Sequence, residues 1–304
     1  VSHEMKEKSY DIPIPQHDLF PNSKYRYPFI RRTPFATMLT DFGCAFKCSF
    51  CIQSKLDFKN RSVSNVLEEM RYLKSIGIKD IYFSDQTFAF NGARAKELFE
   101  AMIAEKFNFG WVAFYRVDLV REDMLALMKK SGCHTLMFGI ESASEALLKE
   151  YQKNIKLVTV RSALAQCRKI GIRTVGTFIL GFPNETPQDI EATVQFSLDL
   201  PLDYASYNLP VPRSKTSLRT QAIAADLVKK EDLVMDQSGK HTTMGNKYLS
   251  REQLFAIRNN AIKRFYLRPT YIIRRLLSIR TWDELKINFA DGFVLLRESF
   301  KSFG

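Results

Sequence analysis

Between Phe35 and Asn208 the sequence alternates short β-forming runs with amphipathic stretches of helical period, and few folds accommodate that alternation. The strand candidates are Phe35 to Thr40, Asp80 to Ser84, Trp111 to Arg116, Thr135 to Ile140, Thr174 to Leu180 and Tyr204 to Asn208. Helical patterns fall at about 65 to 76, 93 to 106, 121 to 131, 143 to 150, 157 to 170 and 187 to 199. Strands that alternate with helices pair parallel, because a parallel pair needs a crossover long enough to hold one. Three of the helices are expected to close on a repeated signal: Lys74-Ser75-Ile76-Gly77, Lys130-Ser131-Gly132 and Lys169-Ile170-Gly171. Glycine takes the left-handed turn there, and the lysines complement the negative helix end. Asn65 followed by Glu68 reads as an N-cap with a reciprocal glutamate.

The loop after the first strand carries Cys44, Cys48 and Cys51, a three-then-two spacing. A closed zinc site needs four Cys or His ligands, usually in two pairs, and no second pair follows. His17 and His134 have no partner at ligand spacing. Disulfides would leave an odd thiol in a chain that does not look secreted. Three thiolates instead suit three irons of a 4Fe-4S cluster, with the fourth iron open to a ligand. Cys167 shares a helix face with Val160, Ala163, Leu164 and Ile170 and is expected in the core. Cys133 follows the Gly132 cap at a strand entrance, and neither is read as a ligand.

Cys-x-x-x-Cys-x-Phe-Cys resembles the signature of the radical S-adenosylmethionine (SAM) superfamily. The flanking sequence is similar to the branch that often carries an N-terminal cobalamin-binding domain, including anaerobic Mg-protoporphyrin monomethyl ester cyclase and hopanoid methylases. The likeness runs from Ile14-Pro15-Gln16-His17-Asp18-Leu19-Phe20-Pro21 to Phe265-Tyr266-Leu267-Arg268-Pro269. It implies an α/β fold, a partial (β/α)6 barrel of the TIM type, with a basic helical C-terminal extension. Metal ligands are then Cys44, Cys48 and Cys51, and SAM chelates the open iron through its amino and carboxylate groups. The implied activity is reductive cleavage of SAM to a 5'-deoxyadenosyl radical that abstracts hydrogen from a substrate. Cofactors carry such chemistry, and the protein orients and shields.

In parallel barrels, functional groups gather at the carboxyl ends of the strands. There the second strand delivers Asp85 and Gln86, expected to accept from the SAM ammonium; the family often has a second acid where Gln86 stands. Asp85 could instead cap the helix near Ala93. The third strand delivers Arg116, suited to a carboxylate, with Asp118 as a competing partner. The fourth ends in Glu141 and Ser142, expected to recognise ribose hydroxyls or an amino group; Gly-Ile-Glu-Ser matches the family, although Ala143 replaces a frequent glycine. Ser142 as the N-cap of helix 143 to 150 is the alternative. The fifth resembles the adenine-contacting strand through Ile179, and Gly181 is expected to let a ligand approach. Asn184 replaces a common glycine in the turn that follows but can adopt the same left-handed conformation, with Glu185 fixing that turn. Phe50 is expected to flank adenine. After the sixth strand, Arg213 and Lys215 would favour an anion.

Residues 1–34 hold Pro13, Pro15, Pro21, Pro28 and Pro34 and read as an arm or linker. The expected division is 1–34 arm, 35–232 radical SAM partial barrel and 233–304 helical extension, with no cobalamin domain in the chain. In the extension, Ser250 to Phe265 reads as a helix with Leu254, Ile257, Ala261 and Phe265 on one face, broken at Arg268-Pro269; Tyr271 to Arg280 and Trp282 to Phe300 suggest more. Its arginines suit packing on the barrel, an acidic substrate or anionic lipid. Lys plus Arg number 45 against 33 Asp plus Glu, a net +12 that draws anionic partners. The partners expected are a small, anionic or lipid-like substrate, an electron donor such as flavodoxin or ferredoxin, and a separate cobalamin-binding chain if methyl transfer is the reaction. No nucleic-acid-binding module is visible. The N-terminal stretch lacks the apolar run of a signal peptide, and cytoplasm is the expected location. An iron-sulfur interaction or electron-relay protein without SAM cleavage is the competing reading.

Overall fold

The computed structural model describes residues 9–232 and 244–279, together with 285, 289 and 292. It divides into two compact units: Val1–Phe46, Gln53–Met137 and Gln166–Arg173 form the first, and Lys47–Ile52, Phe138–Ala165 and Thr174–Gly304 the second.

The first unit carries β1 (Phe35–Met38), β2 (Asp80–Phe83), β3 (Gly110–Tyr115) and the leading half of β4 (Cys133–Glu141), side by side in that order. Phe35 faces Asp80 and Asp80 faces Gly110 in parallel register. The helices are α1 (Val63–Ser75), α2 (Gly92–Ala104) and α3 (Glu122–Lys130). Core packing is aromatic: Phe83 stacks on Phe88 at 4.5 Å, and Phe99 on Trp111 at 5.6 Å between centroids. Asp80, at the start of β2, accepts from the Arg31 and Arg32 amides at 3.0 Å and lies 3.0 Å from His134 Nε2. His17 pairs with Glu69 at 2.8 Å. Both histidines therefore have structural partners.

The N-cap of α1 is Ser62, whose side chain accepts from the Asn65 amide. The expected Asn65 cap is not formed because Arg61, fully buried, takes the Asn65 carboxamide oxygen at 2.7 Å. That oxygen also accepts from the Ile12 amide. The arm is accordingly anchored, with Ser9–Tyr10 pairing parallel to Asn60–Arg61.

The second unit carries the trailing half of β4, then β5 (Arg173–Ile179) and β6 (Tyr204–Asn208), in that order. β5 and β6 pair parallel, Val175 facing Tyr204 and Ile179 facing Asn208. The helices are α4 (Glu145–Glu150), α5 (Leu157–Ile170, whose last turn lies in the first unit), α6 (Pro187–Asp199), α7 (Ser217–Ala224), α8 (Arg251–Tyr266) and α9 (Pro269–Leu277). The glycine stops hold: Gly77, Gly132 and Gly171 all have positive φ. Cys133 and Cys167 are buried.

An exposed edge strand presents unpaired backbone groups, and α8 covers those of β6. The Tyr266 hydroxyl donates to Ala205 O at 2.8 Å and accepts from its amide at 3.1 Å, while Arg258 Nε donates to Tyr207 O at 2.9 Å. Arg264 grips Glu191 with two bonds, Arg268 donates to Leu198 O, and Arg274 to Leu202 O. Of the three uses expected for this basic segment, these arginines serve packing. The helix expected over Trp282 to Phe300 lies outside the described residues except at three positions. No helix among the described residues is long and apolar enough to cross a membrane.

Candidate active site

In the first unit the approach to Cys44 is tightly constrained. Gly43 has φ +74°, and a Cβ there would sit 2.4 Å from Asp57 O. Just upstream, Thr40 and Asp41 are held by Asp85: both amides donate to Asp85 Oδ1, at 2.7 and 2.5 Å, and the Thr40 hydroxyl lies 3.3 Å from Oδ2. Asp85 does not cap α2, a role filled by Asn91. Its burial, and then the neighbouring Asp41 charge, push the Asp85 carboxyl well above the usual range. Asp41 faces Arg94 Nη1 at 3.3 Å, which opposes the effect of its own burial.

Asp85 thus braces the chain leading into the cysteines with the oxygens that were expected to meet SAM. Gln86 is exposed, and its carbonyl accepts the Thr87 hydroxyl at 2.9 Å. Thr87 Oγ1 in turn lies 3.6 Å from Cys44 Sγ. Arg116 holds Asp118 through two bonds of 2.9 and 2.8 Å and stacks its guanidinium 3.7 Å from the centre of the Phe46 ring. Phe46 lies between Cys44 and Cys48, so Arg116 grips the cysteine loop as well as its acid.

In the second unit the loop is held through its backbone. The Ser49 amide donates to Tyr151 O at 2.9 Å, and Ser49 O accepts from the Ser217 amide at 2.9 Å. Phe50 meets Tyr151 and Phe182 edge-on at 6.3 and 5.8 Å. Ile179 packs against the same apolar cluster as Phe50, which brings together the two residues expected beside adenine.

Glu141, at φ +67°, forms an ion pair with Lys153 at 3.0 Å. A Cβ on Gly139 would lie 2.3 Å from Glu141 Oε1 and 2.7 Å from Lys153 Nζ, so glycine makes room for that pair. Ser142 is fully buried; its hydroxyl accepts from the Ser144 amide at 3.1 Å and lies 3.3 Å from Thr193 Oγ1. The N-cap of α4 is Ser144, two residues beyond the expected position.

Two expectations for the turn after β5 are corrected. Gly181 has φ +101°, but a Cβ there would meet Leu254 at 2.7 Å, so a core side chain occupies the space assigned to a ligand. Asn184 is absent from the residues with positive φ. The turn is held by Glu185 instead, as expected: its Oε2 accepts from the Gly181 and Phe182 amides at 2.6 and 3.0 Å. Burial raises the Glu185 carboxyl to about 7.

Thr87, Lys153, Tyr151 and Arg94 were not singled out by sequence. Thr87 alone carried a local signal, two positions beyond Asp85 at a strand end; the others become partners only through the fold.

The donor set fits an iron-sulfur group. None of Cys44, Cys48 and Cys51 is in a disulfide, and thiolates are soft donors of the kind that hold such clusters. No three His, Cys, Asp or Glu side chains among the described residues gather around one metal-ion position. A cubane does not require that, since each thiolate takes its own iron. The buried Ser49 hydroxyl, between Cys48 and Phe50, has no partner, which leaves a donor for a cluster sulfur or a bound carboxylate.

The family model for the radical SAM superfamily matches residues 39–197. An uncharacterized methyltransferase of Pyrococcus horikoshii is 38% identical over 277 residues, covering 88% of this chain and 58% of that protein. The anaerobic magnesium-protoporphyrin IX monomethyl ester cyclase of Cereibacter sphaeroides is 28% identical, over 74% of this chain and 38% of its own length. The chain thus spans less than two thirds of either relative. Among solved structures, the cobalamin-dependent SAM radical enzyme OxsB with aqua-cobalamin and SAM bound aligns at a TM-score of 0.61 and 18% identity, over 87% of this chain and 46% of that one. That likeness supports the α/β fold with a parallel sheet. Since the family model spans more than half of the sequence and includes all three loop cysteines, the chain belongs to the radical SAM superfamily, whose fold implies a 4Fe-4S cluster and SAM.

Proposed function

We propose that this chain is the SAM-cleaving part of a radical enzyme, with Cys44, Cys48 and Cys51 as the three protein ligands of a 4Fe-4S cluster. The observation that carries the reading is the set of three cysteines at three-then-two spacing, none in a disulfide, within the matched family region. When bound, the cluster supplies one electron to the SAM sulfonium, which splits into methionine and a 5'-deoxyadenosyl radical that takes a hydrogen atom from substrate.

The chain's own residues position and shield. Asp85 fixes the backbone entering the loop, and Arg116 clamps Phe46 within it. Tyr151 and Ser217 fix Ser49. Phe50 and Ile179 offer an apolar face suited to adenine, and Glu141, held by Lys153, is the acid suited to ribose hydroxyls or an amino group. Holding reactants in place and excluding water are what a protein adds to such chemistry.

A small-molecule substrate and a reductant follow from the reaction; the net positive charge favours an anionic substrate and an acidic donor of the flavodoxin or ferredoxin kind. A cytoplasmic, reducing setting suits cysteines that form no disulfide. The name of the Pyrococcus relative favours methyl transfer as the reaction class, with cobalamin supplied by a domain or chain outside this one.

Anaerobic reconstitution followed by iron analysis and incubation with SAM and reductant tests the reading. Enzyme activity releases 5'-deoxyadenosine or, for methyl transfer, also S-adenosylhomocysteine, and Cys44→Ala abolishes both products and most of the iron. A full cluster with no SAM turnover would replace this reading with an electron-relay protein, and bound zinc, which is redox-inactive, would overturn both.

A further inference from the structure

Thr87 is the residue whose side chain lies within hydrogen-bonding distance of the Cys44 sulfur, and neither the strand-end pattern nor the SAM contacts account for it. We propose that the Thr87 hydroxyl donates a hydrogen bond to the Cys44 sulfur of the bound cluster and thereby makes the cluster easier to reduce. The inference rests on Cys44 being a cluster ligand.

The hydroxyl is held firmly. Thr87 is buried, two residues beyond the Asp85 brace and one before Phe88, whose ring is stacked on Phe83 and whose amide donates to Phe114 O at 2.9 Å. It has two candidate acceptors, Gln86 O at 2.9 Å and Cys44 Sγ at 3.6 Å. With Cys44 as a thiol, the S–H group donates to Thr87 Oγ1 and the hydroxyl proton goes to the Gln86 carbonyl. Ligation removes the thiol proton and leaves negative charge on the sulfur. The hydroxyl then faces a charged acceptor, and a charge-assisted hydrogen bond is roughly twice as strong as a neutral one. Added electron density on reduction strengthens that bond further, so the donor stabilises the reduced state. Hydrogen bonds to the sulfurs are among the factors that set cluster potentials. Thr87 is in this sense a positioning residue that acts through Cys44.

The test uses the full chain, reconstituted anaerobically without SAM, in a potentiometric titration followed by the EPR signal of the reduced cluster. Thr87→Val keeps the branched shape and removes the hydroxyl; Thr87→Ser keeps the hydroxyl. The expected result is a Thr87→Val cluster about tenfold harder to reduce, about 59 mV more negative for a one-electron couple. Its iron and sulfide content stays at the wild-type level, and Thr87→Ser stays at the wild-type potential. Equal potentials for Thr87→Val and wild type overturn the proposal, and so does an equal shift in Thr87→Ser. Should Thr87→Val fail to hold the cluster, Thr87→Ala is titrated in its place. Loss of the cluster from both, with wild type and Thr87→Ser loaded, means that Thr87 builds the loop rather than tuning it, and the proposal falls. If wild type itself holds no iron-sulfur cluster, the ligand assignment fails first, a result that iron analysis distinguishes from every potential shift.

Discussion

The two units use one device in different settings. Asp85 in the first and Glu185 in the second are buried carboxyls that each accept two consecutive backbone amides, those of Thr40 and Asp41 and those of Gly181 and Phe182. Around Asp85 both oxygens have partners, with the Thr40 hydroxyl on Oδ2. Glu185 has no partner on Oε1. Burying an unpartnered polar atom is unfavourable, so the second brace is less complete than the first. A buried carboxyl can thus fix a strand-end loop without ligating anything, and an acid at a strand end is not by itself a ligand contact.

The largest expected difference between the units lies in their glycines. Gly43→Ala forces a side chain at φ +74° into backbone, 2.4 Å from Asp57 O, which cannot move aside without reshaping the loop. The left-handed conformation and the overpacking together destabilise by about 2–5 kcal/mol. Gly181→Ala carries the same conformational penalty at φ +101°, but the obstruction is the Leu254 side chain, which can change rotamer. About 1–3 kcal/mol is expected there. Hydrogen exchange resolved by segment reads each loss locally, and iron retention should fall in Gly43→Ala alone. Equal local losses would mean that the loop around Asp57 yields as readily as a side chain.

Next in size are the braces. Asp85→Ala and Glu185→Ala each strand two buried amides, at roughly 2–4 kcal/mol. The amide variants separate the two settings. Asp85→Asn keeps an oxygen for both backbone donors and turns its NH2 group toward the Thr40 hydroxyl, which can accept, so a change under about 1 kcal/mol is expected. Glu185→Gln places a buried NH2 where Oε1 has no partner, and about 1–3 kcal/mol is expected. Chemical denaturation of the four variants orders them. A Glu185→Gln no less stable than Asp85→Asn would show that Oε1 does meet a hydrogen-bonding group in solution.

Much of the framework was legible because it is written locally. Strand and helix positions follow from periodicity, and each of the six strand candidates forms within about two residues of its expected bounds. The glycine stops and the Glu185 turn are short-range signals as well. What the sequence hid is competition for acceptors. Asn65 has the chemistry of an N-cap, yet buried Arg61 claims its side chain and Ser62 takes the role. Asp85 and Ser142 stand at strand ends like ligand contacts, yet each finds a protein donor first. Gly181 looked like room for a ligand because Leu254 arrives from 73 residues later in the chain. Lys153 meets Glu141 across a whole helix, a pairing that no periodicity reveals.

The smallest expected effect is a dependence on pH, and it sharpens the comparison because only its direction is shared. Both carboxyls are raised by burial, so the folded protein holds their protons more tightly than the unfolded chain does. Stability from each is then fully present below the unfolded carboxyl value and declines as pH rises through the folded one. For Glu185 the decline runs from the ordinary glutamate value of 4.5 to about 7. Asp85 is raised by Asp41 as well as by burial, so its decline should extend to higher pH. Denaturation midpoints measured across this range should fall with pH in wild type. Glu185→Gln should keep only the decline due to Asp85, which continues above about 7, and Asp85→Asn only the decline that ends near 7. Should the Asp85→Asn profile match wild type at every pH, the Asp85 carboxyl is ionised throughout, and the three donors around it outweigh its burial and the Asp41 charge.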